Sequence, residues 1–550
     1  MSRLTKAVRG TVALLVVTLL AACASTPPAT LDESLDLIGK RALQRHVAWL
    51  AHDDRAGRMT GEAGYDHAAA YVAEQFESMG LEAAGSDGWF QPVALRSYKP
   101  KEASAKFVLH GAQGDEALVY REDFSVSADP VATSTSVRGE VVYVGYGVHA
   151  PKLGYSDYDG VDVSGKIVAL YSGSPESLAG EERAFYASSL AKRKEAVARG
   201  AIGTISLRSR KAEERRPWEE AKAEIGKRSR MTWVNSAGEA ADYLPQLRGG
   251  AYLAPEAATR LFGNAPLGYE ASLDAVAAGV VASTHLGVEV TISTESVHET
   301  LSSPNVVGLV RGSDPALADE YVVYTAHLDH LGTTEKDGKT HVYNGAYDNA
   351  MGVALMLETA RAFAALPPRR SILFVAVTAE ESGLLGSDFF VNNPVVPPGS
   401  IVANINLDMP LFLYPVADLV AFGAENSSLQ FVAEASAEAE GFLFAPDPMP
   451  EENLFVRSDQ YSFVRKGIPS IFLVPGFTSL DGDVDGEALF REHLKEHYHK
   501  ASDDLSRPID WKSALRFARA HTRIGYAVAS ESDRPTWLEG NVFGVRFATP

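Results

Sequence analysis

One cysteine, Cys23, stands in 550 residues. A single thiol forbids an internal disulfide and removes every thiolate metal site, so any metal must be held by imidazole and oxygen donors. The apolar run Thr11 to Ala22 is well short of the roughly 20 residues that cross a bilayer. Positive charge is in deficit. The formal net charge is −20, and removing residues 1–22, which carry Arg3, Lys6 and Arg9 but no acid, leaves about −23. A field of that sign repels nucleic acid and anionic lipid surfaces, which argues against a binder of either, and favours cations or substrates with a free amine.

The start of the chain has the form of a secretory signal peptide: basic residues, the apolar run, then Leu20-Ala21-Ala22 before Cys23. That ending resembles the lipobox of bacterial lipoproteins, in which the cysteine is lipidated and becomes the first mature residue. Ala24 follows where an Asp would retain such a protein at the inner membrane, so the expectation is a lipid-anchored protein of the bacterial cell envelope at the outer membrane. Residues 23–30, with Pro27-Pro28, read as a tether.

The remaining length is too great for one core. Residues 31–135 open with helical periodicity around the glycine-bearing loop Asp53 to Gly61 and lead to an edge strand at Trp89 to Val93. From Ser136 short strands bounded by glycine take over, and residues 136–290 read as an inserted β-rich domain. Arg208 to Arg230, densely charged with mixed sign, reads there as a solvated helix or covering loop. Residues 291–550 return to alternation. Val306 to Val310, Tyr321 to Ala326, Ser371 to Thr378, Ile401 to Leu407, Leu419 to Phe422 and Ile471 to Val474 are strands, with a helix expected over Asp348 to Ala365. That alternation predicts an α/β fold with a doubly wound, mostly parallel sheet.

The chemistry sits where those strands stop. Ile372 to Val377 runs apolar, and the stretch then stops on Glu380-Glu381-Ser382-Gly383. Adjacent carboxylates are either a solvated acidic turn or a pair with divided roles, one on a metal and one free as a base. Tyr321 to Ala326 ends on His327-Leu328-Asp329, Gly345-Ala346-Tyr347 leads to Asp348-Asn349, Asn406-Leu407 to Asp408-Met409, and Tyr498 to His499, with Asp503 beyond. A doubly wound sheet gathers strand carboxyl ends along one edge. Two imidazoles and three carboxylates then form a set suited to a pair of zinc-like ions, with Asp329 able to accept the other N–H of His327. Each residue alone also has a bland reading, Asp348 as a helix cap among them.

As an ordered set these motifs resemble the M28 family of metallopeptidases. The likeness runs through His327-x-Asp329, Gly345-Ala346-x-Asp348-Asn349-Ala350-x-Gly352, Glu380-Glu381-x-Gly383, Asn406-x-Asp408-Met409 and Tyr498-His499, and takes in Ala56-Gly57-Arg58 to Gly61. It implies a phosphorylase/hydrolase-like α/β/α sandwich, and the insert resembles the protease-associated domain of some members. It further implies one Zn2+ on His327 and Asp408, a second on Glu381 and His499, Asp348 bridging both, Glu380 as general base and Asp329 as orienting carboxylate. Co2+ or Mn2+ suits the same donors. Tyr498 is either a donor to the oxyanion or a packing residue. His330 stands where many relatives have Ser, beside the site, where it alters access or becomes an extra ligand. Lys500 must point away.

The activity implied is removal of N-terminal residues from peptides. Alternatives are a glutamate-releasing carboxypeptidase, for whose substrate carboxylate no cationic residues stand out, a single-zinc glutaminyl-cyclase-like acyltransferase, and a receptor-like relative with a dead site.

Overall fold

The computed structural model describes residues 30–548 apart from 112, 113, 179 and 264. The expected signal segment and Cys23 lie outside the described residues. Within them, no helix is long and apolar enough to cross a membrane.

The four buried strands Tyr321–His327, Ser371–Val377, Ile401–Leu407 and Ser470–Pro475 form the parallel centre of the main sheet. Every residue of Tyr321–His327 and Ser371–Val377 is buried because both faces are covered. Val322, Tyr324, Ala326, Ile372, Phe374 and Ala376 point into a core shared with the helices Lys40–Leu50, Ala63–Ser78, Gly352–Ala365 and Trp511–Ser530. The intervening Val323, Leu373, Val375 and Val377 meet Phe390 and Phe463 on the other side. Period-two alternation onto two apolar layers is what a continuous apolar run encodes.

The order of strands reverses inside this sheet while their direction stays parallel. Tyr321–His327 pairs with Ser371–Val377 on one side and with Ile401–Leu407 on the other, so the first strand of the series is flanked by the second and the third. That is a topological switch point, where the loops leaving neighbouring strands part and open a crevice. Thr325 pairs with Asn406, which brings His327 and Asp408, two residues further on each strand, level at its mouth.

One 27-residue strand, Thr284–Val310, joins the two halves of the molecule. Its last residues pair antiparallel with Ile372–Ala376 in the main sheet. Its first pair with Lys106–Gly111 and Ser134–Tyr143, in a second sheet completed by Ile167–Tyr171, Gly203–Leu207, Gly250–Leu253 and Phe124–Val126. The core of this second unit draws on residues from Phe107 to Ile292. The boundary expected at residue 136 therefore falls inside it, because Phe107, Leu109 and Phe124 bury themselves there. The edge strand expected at Trp89 to Val93 runs on from Phe90 to Pro100; Phe90–Val93 pair on one side, with Ser303–Val306, and Leu95–Tyr98 pair on the other side too, with Arg230–Trp233.

Phe374 sits at the middle of the larger core, stacked 5.4 Å from Tyr324 and within 6.1 Å of Phe76 and Phe363. Its truncation removes packing from a neighbouring strand and two helices. Phe374→Ala is expected to cost about 3–5 kcal/mol, read as a lowered midpoint in denaturant unfolding.

Candidate metal centre and active site

His327 ends its strand with the ring buried. Its Nδ1–H donates to the carbonyl of Asp329 at 3.1 Å, and its Nε2 lies 3.1 Å from both Asp348 Oδ1 and Asp408 Oδ1. The sequence led one to expect the Asp329 carboxylate to set the tautomer; its backbone carbonyl does so instead. The His-x-Asp turn folds the carbonyl back onto the ring and sends the side chain elsewhere. Asp329 Oδ1 accepts from the Glu380 backbone at 3.1 Å, Oδ2 from the Glu381 backbone at 3.4 Å and from Thr60 Oγ1 at 3.2 Å. Asp329 therefore holds the Glu380-Glu381 turn in place, while burial raises its own pKa to about 6.

Asp348 lies between two groups of donors. Oδ1 faces His327; Oδ2 lies 3.4 Å from His499 Nε2 and 3.9 Å from His330 Nδ1. Glu381 completes the second group, Oε2 at 3.0 Å from His499 Nε2 and Oε1 at 2.6 Å from His330 Nδ1. His327, Asp348 and Asp408 form one compact set able to hold a metal ion, and His330, Asp348 and Glu381 form another. His330, for which the sequence left altered access or a role as extra ligand open, is fully buried and belongs to the second set. Its signal was visible as an imidazole three residues after His327, but nothing in the sequence says which way it turns.

The helix expected from Asp348 starts at Gly352. Residues 346–351 form a kinked turn in which Asp348 and Asn349 leave helical geometry. Asn349 imposes this: Oδ1 accepts from the Gly352 and Met409 backbones at 3.0 and 3.2 Å, and Nδ2 donates to the Leu407 carbonyl at 2.9 Å. The side chain caps the helix and ties it to the strand that delivers Asp408. Gly345 before the turn has φ +56, and a Cβ there would collide with the Asp348 carbonyl and the His330 ring. Asp503 accepts from the Tyr347 and Asp348 backbones at 3.1 and 3.0 Å.

The electrostatics call for a cation. Burial works to strip His327 of its proton, but the carboxylates of Asp408, Glu380 and Asp348 overcome it and hold its pKa well above the ordinary value. Burial likewise opposes ionisation of Asp348, yet His330, His327 and His499 hold its carboxyl well below the usual range. Glu380 is raised well above its ordinary value by burial, then by Asp408, Glu381 and Asp459, with His327 opposing. Asp348 Oδ2 and His330 Nε2 are buried without a hydrogen-bond partner. With Nδ1 of His327 already spent on a carbonyl, Nε2 is the nitrogen that faces the two carboxylates. Oxygen and imidazole donors turned on common points, with buried acceptors unsatisfied, fit divalent cations.

Glu380 lines the same cleft as His327, Asp348, Asp408 and Tyr498. Among the described residues its carboxylate makes no hydrogen bond or ion pair, which leaves it free of the donor sets. The Tyr498 ring stacks on His499 at 3.8 Å, and the residue lines the cleft. Lys500 turns away, Nζ donating to the Lys495 carbonyl at 2.5 Å and pairing with Glu496 at 3.6 Å. Beneath Asp408, Ser458 Oγ donates to Oδ2 at 2.5 Å, and Asn406 Nδ2 donates to Ser458 Oγ and Gln460 Oε1 at 2.8 and 2.9 Å. Ser458 lies fifty residues from Asp408, so sequence spacing gave no hint of it.

Arg58 is the other residue whose role the sequence hid. It is 1% exposed, and its guanidinium donates only to carbonyls: Leu328 at 2.9 Å, Leu50 at 2.7 Å, Asn344 at 2.6 Å and Gly345 at 3.0 Å. It pins the His327 turn to the loop carrying Asp348. Burial lowers its pKa to about 10 against the pull of Asp348, Asp503, Asp329 and Glu381. Arg58→Met keeps the bulk and strands those carbonyls. It is expected to cost about 3 kcal/mol or more in stability and to weaken divalent-ion retention, measured by thermal melting and by metal content after dialysis against chelator.

Comparison with known proteins converges on the same segment. Residues 305–524 match the model described as Peptidase family M28. Aminopeptidase NAALADL1 of Mus musculus is 35% identical over 134 residues, 23% of this chain and 16% of that protein. A protein of Leptosphaeria maculans named "Probable zinc metalloprotease" is 34% identical over 259 residues, 42% of this chain and 58% of that protein. The chain thus spans less than two thirds of these curated relatives. Its fold is similar to that of the aminopeptidase from Aneurinibacillus sp. strain AM-1, with TM-score 0.52 and 19% identity over 92% of this chain and 97% of that one. At that identity the likeness is one of fold. The matched residues 305–524 hold His327, Asp348, Glu380, Glu381, Asp408 and His499, so the similarity to peptidase family M28 covers both donor sets and the carboxylate beside them.

Proposed function

We propose that this chain is a zinc-dependent aminopeptidase that releases N-terminal residues from peptides. The observation that carries the reading is a single buried carboxylate, Asp348, shared by two donor sets beside a carboxylate, Glu380, that belongs to neither. Two zinc ions are assigned, one to His327 and Asp408, the other to Glu381 and His499 with His330 as a further donor, and Asp348 to both. Bound there, they supply Lewis acidity to a substrate carbonyl and to a water.

The chain's own residues do the rest. Glu380 takes the proton of the attacking water and returns it to the leaving amine, a transfer that its position on the cleft wall allows. Asp329 keeps Glu380 aimed through the backbone N–H it binds. His327 is held with Nε2 available by its own turn. Ser458 orients Asp408. Tyr498 supplies a hydroxyl to the developing oxyanion; its stacking on His499 fixes the ring in the cleft. The second sheet is assigned as a protease-associated insert, supported by the cleft-wall residues it contributes.

Glu380→Gln is expected to retain its zinc and to lose about 10²–10⁴-fold in peptide hydrolysis. Undiminished turnover removes Glu380 from the role of base. Peptides with a free N-terminus are expected to be cleaved and their N-acetylated counterparts left intact; cleavage of both sets rules out the aminopeptidase reading. For metal count, titration of the apoprotein is expected to fill two sites, and His330→Phe to weaken one of them while the other keeps its affinity.

We also propose that Cys23 carries a lipid that anchors the protein in a bacterial envelope, facing the periplasm or the surface at the outer membrane. The support is the segment Leu20-Ala21-Ala22-Cys23 after its charged and apolar run. Cys23→Ser is expected to move the protein from the membrane fraction to the soluble fraction.

A further inference from the structure

The donor sets form one end of a cleft of about 1600 Å³, larger than the 300–1,000 Å³ of sites shaped for small molecules. Its other walls are unlike the rest of the protein. Away from the donor sets it is lined by the nine basic side chains of Arg183, residues 208–216, Arg457, Arg491 and Lys495, and by only two acidic ones, Glu176 and Glu452. The whole chain carries 71 acidic residues against 51 basic. A basic lining in an acidic protein is not a sample of the average surface.

Some of these charges are already spent. Arg208 is paired with Glu213, Arg210 with Glu270 and Asp274 at 2.9 and 2.7 Å, and Arg457 with Glu452 at 3.5 Å. Arg183, Lys211, Arg215 and Arg216 are different. Among the described residues none of these four has a carboxylate within ion-pair distance. Arg183 comes from the helix Gly180–Ala187 and the other three from Arg210–Arg216, all in the second sheet's unit. The short helix is held against that unit by Trp218, whose indole N–H donates to the carbonyls of Arg121 and Glu122 at 3.1 and 2.8 Å. Glu214, on the same helix, does not line the cleft. The stretch expected as a solvated helix or covering loop thus forms part of the cleft wall.

Geometry gives these cations an occupant. A peptide with its first bond at the donor sets must send the remainder of its chain out along the cleft, about 3.3 Å for each residue. Low-dielectric walls of one sign concentrate ligands of the other. We infer, resting on the aminopeptidase reading, that Arg183, Lys211, Arg215 and Arg216 select peptides with acidic side chains downstream of the cleaved bond. The insert, not the metal-bearing sheet, then sets this preference.

The test uses the full-length, zinc-loaded protein and two hexapeptides with the same free N-terminus and an amidated C-terminus, one with Glu and the other with Gln at positions four to six. Amidation leaves side-chain charge as the sole difference. Binding to the Glu380→Gln protein is measured alongside turnover by the unaltered one, so the charge preference is read whether or not either peptide is cleaved. Expected is about tenfold tighter binding of the Glu peptide at low salt, shrinking toward parity at 0.5 M salt. The triple variant Lys211→Glu, Arg215→Glu, Arg216→Glu is expected to abolish or invert the ratio, and Lys211→Arg, Arg215→Lys, Arg216→Lys to keep it. Equal binding of the two peptides, or a ratio unchanged by charge reversal, overturns the inference. Absence of cleavage with the preference intact overturns only the aminopeptidase reading.

Discussion

The Asp348 carboxylate is the constraint on which the rest of the molecule depends. It is 3% exposed, and Asp408, Glu380 and Glu381 crowd the same volume. Burying several carboxylates together is costly unless positive charge offsets them. His327 and His499, whose pKa values the carboxylates raise, supply part of that charge at 3.1 and 3.4 Å, and two donor sets stand ready for more. The fold puts its most rigid parts behind this cluster, as an arrangement of strained electrostatics requires.

That rigidity is built in layers. The parallel strands are fixed by apolar packing on both faces, so their carboxyl ends are fixed too. Above them the turns are held by polar side chains with buried partners: Asn349 on the Asp408 strand, Asp503 on the Asp348 backbone, Asp329 on the Glu380 turn, Arg58 across two loops. Each satisfies groups that burial would otherwise leave unpaired. The result places carboxylates and imidazoles by the backbone geometry of four separate turns.

The second unit stands in a different relation to the site. It shares the strand Thr284–Val310 with the main sheet, and polar contacts such as Trp233 Nε1 to Asp388 Oδ2 at 2.7 Å hold it beside the cleft. A continuous strand transmits position without a flexible joint. Residues of the insert can therefore act as walls for chemistry to which they contribute no donor.

Much of this was legible in the chain. Strands such as Ser371–Val377, apolar from Ile372 onward, are buried at every position because both faces are covered, and that pattern is local. So is the stop at Glu380-Glu381, since a strand ends where its side chains turn polar. The ligand types were legible together, because His and Asp at successive strand ends have few other reasons to recur. What the sequence could not carry was direction and distance. Whether Asp329 offers its carboxylate or its carbonyl to His327 depends on the turn it enters. Whether His330 faces Glu381 depends on Gly345 leaving room for its ring. The burial of Arg58, the reach of Ser458 to Asp408 and the cleft wall made by Arg183 and Lys211 to Arg216 join segments tens to hundreds of residues apart. Periodicity and residue type are properties of a stretch of chain and fix elements and chemistry. The meeting of side chains from distant stretches is decided only when the sheet's reversal and the packing of its layers set them face to face.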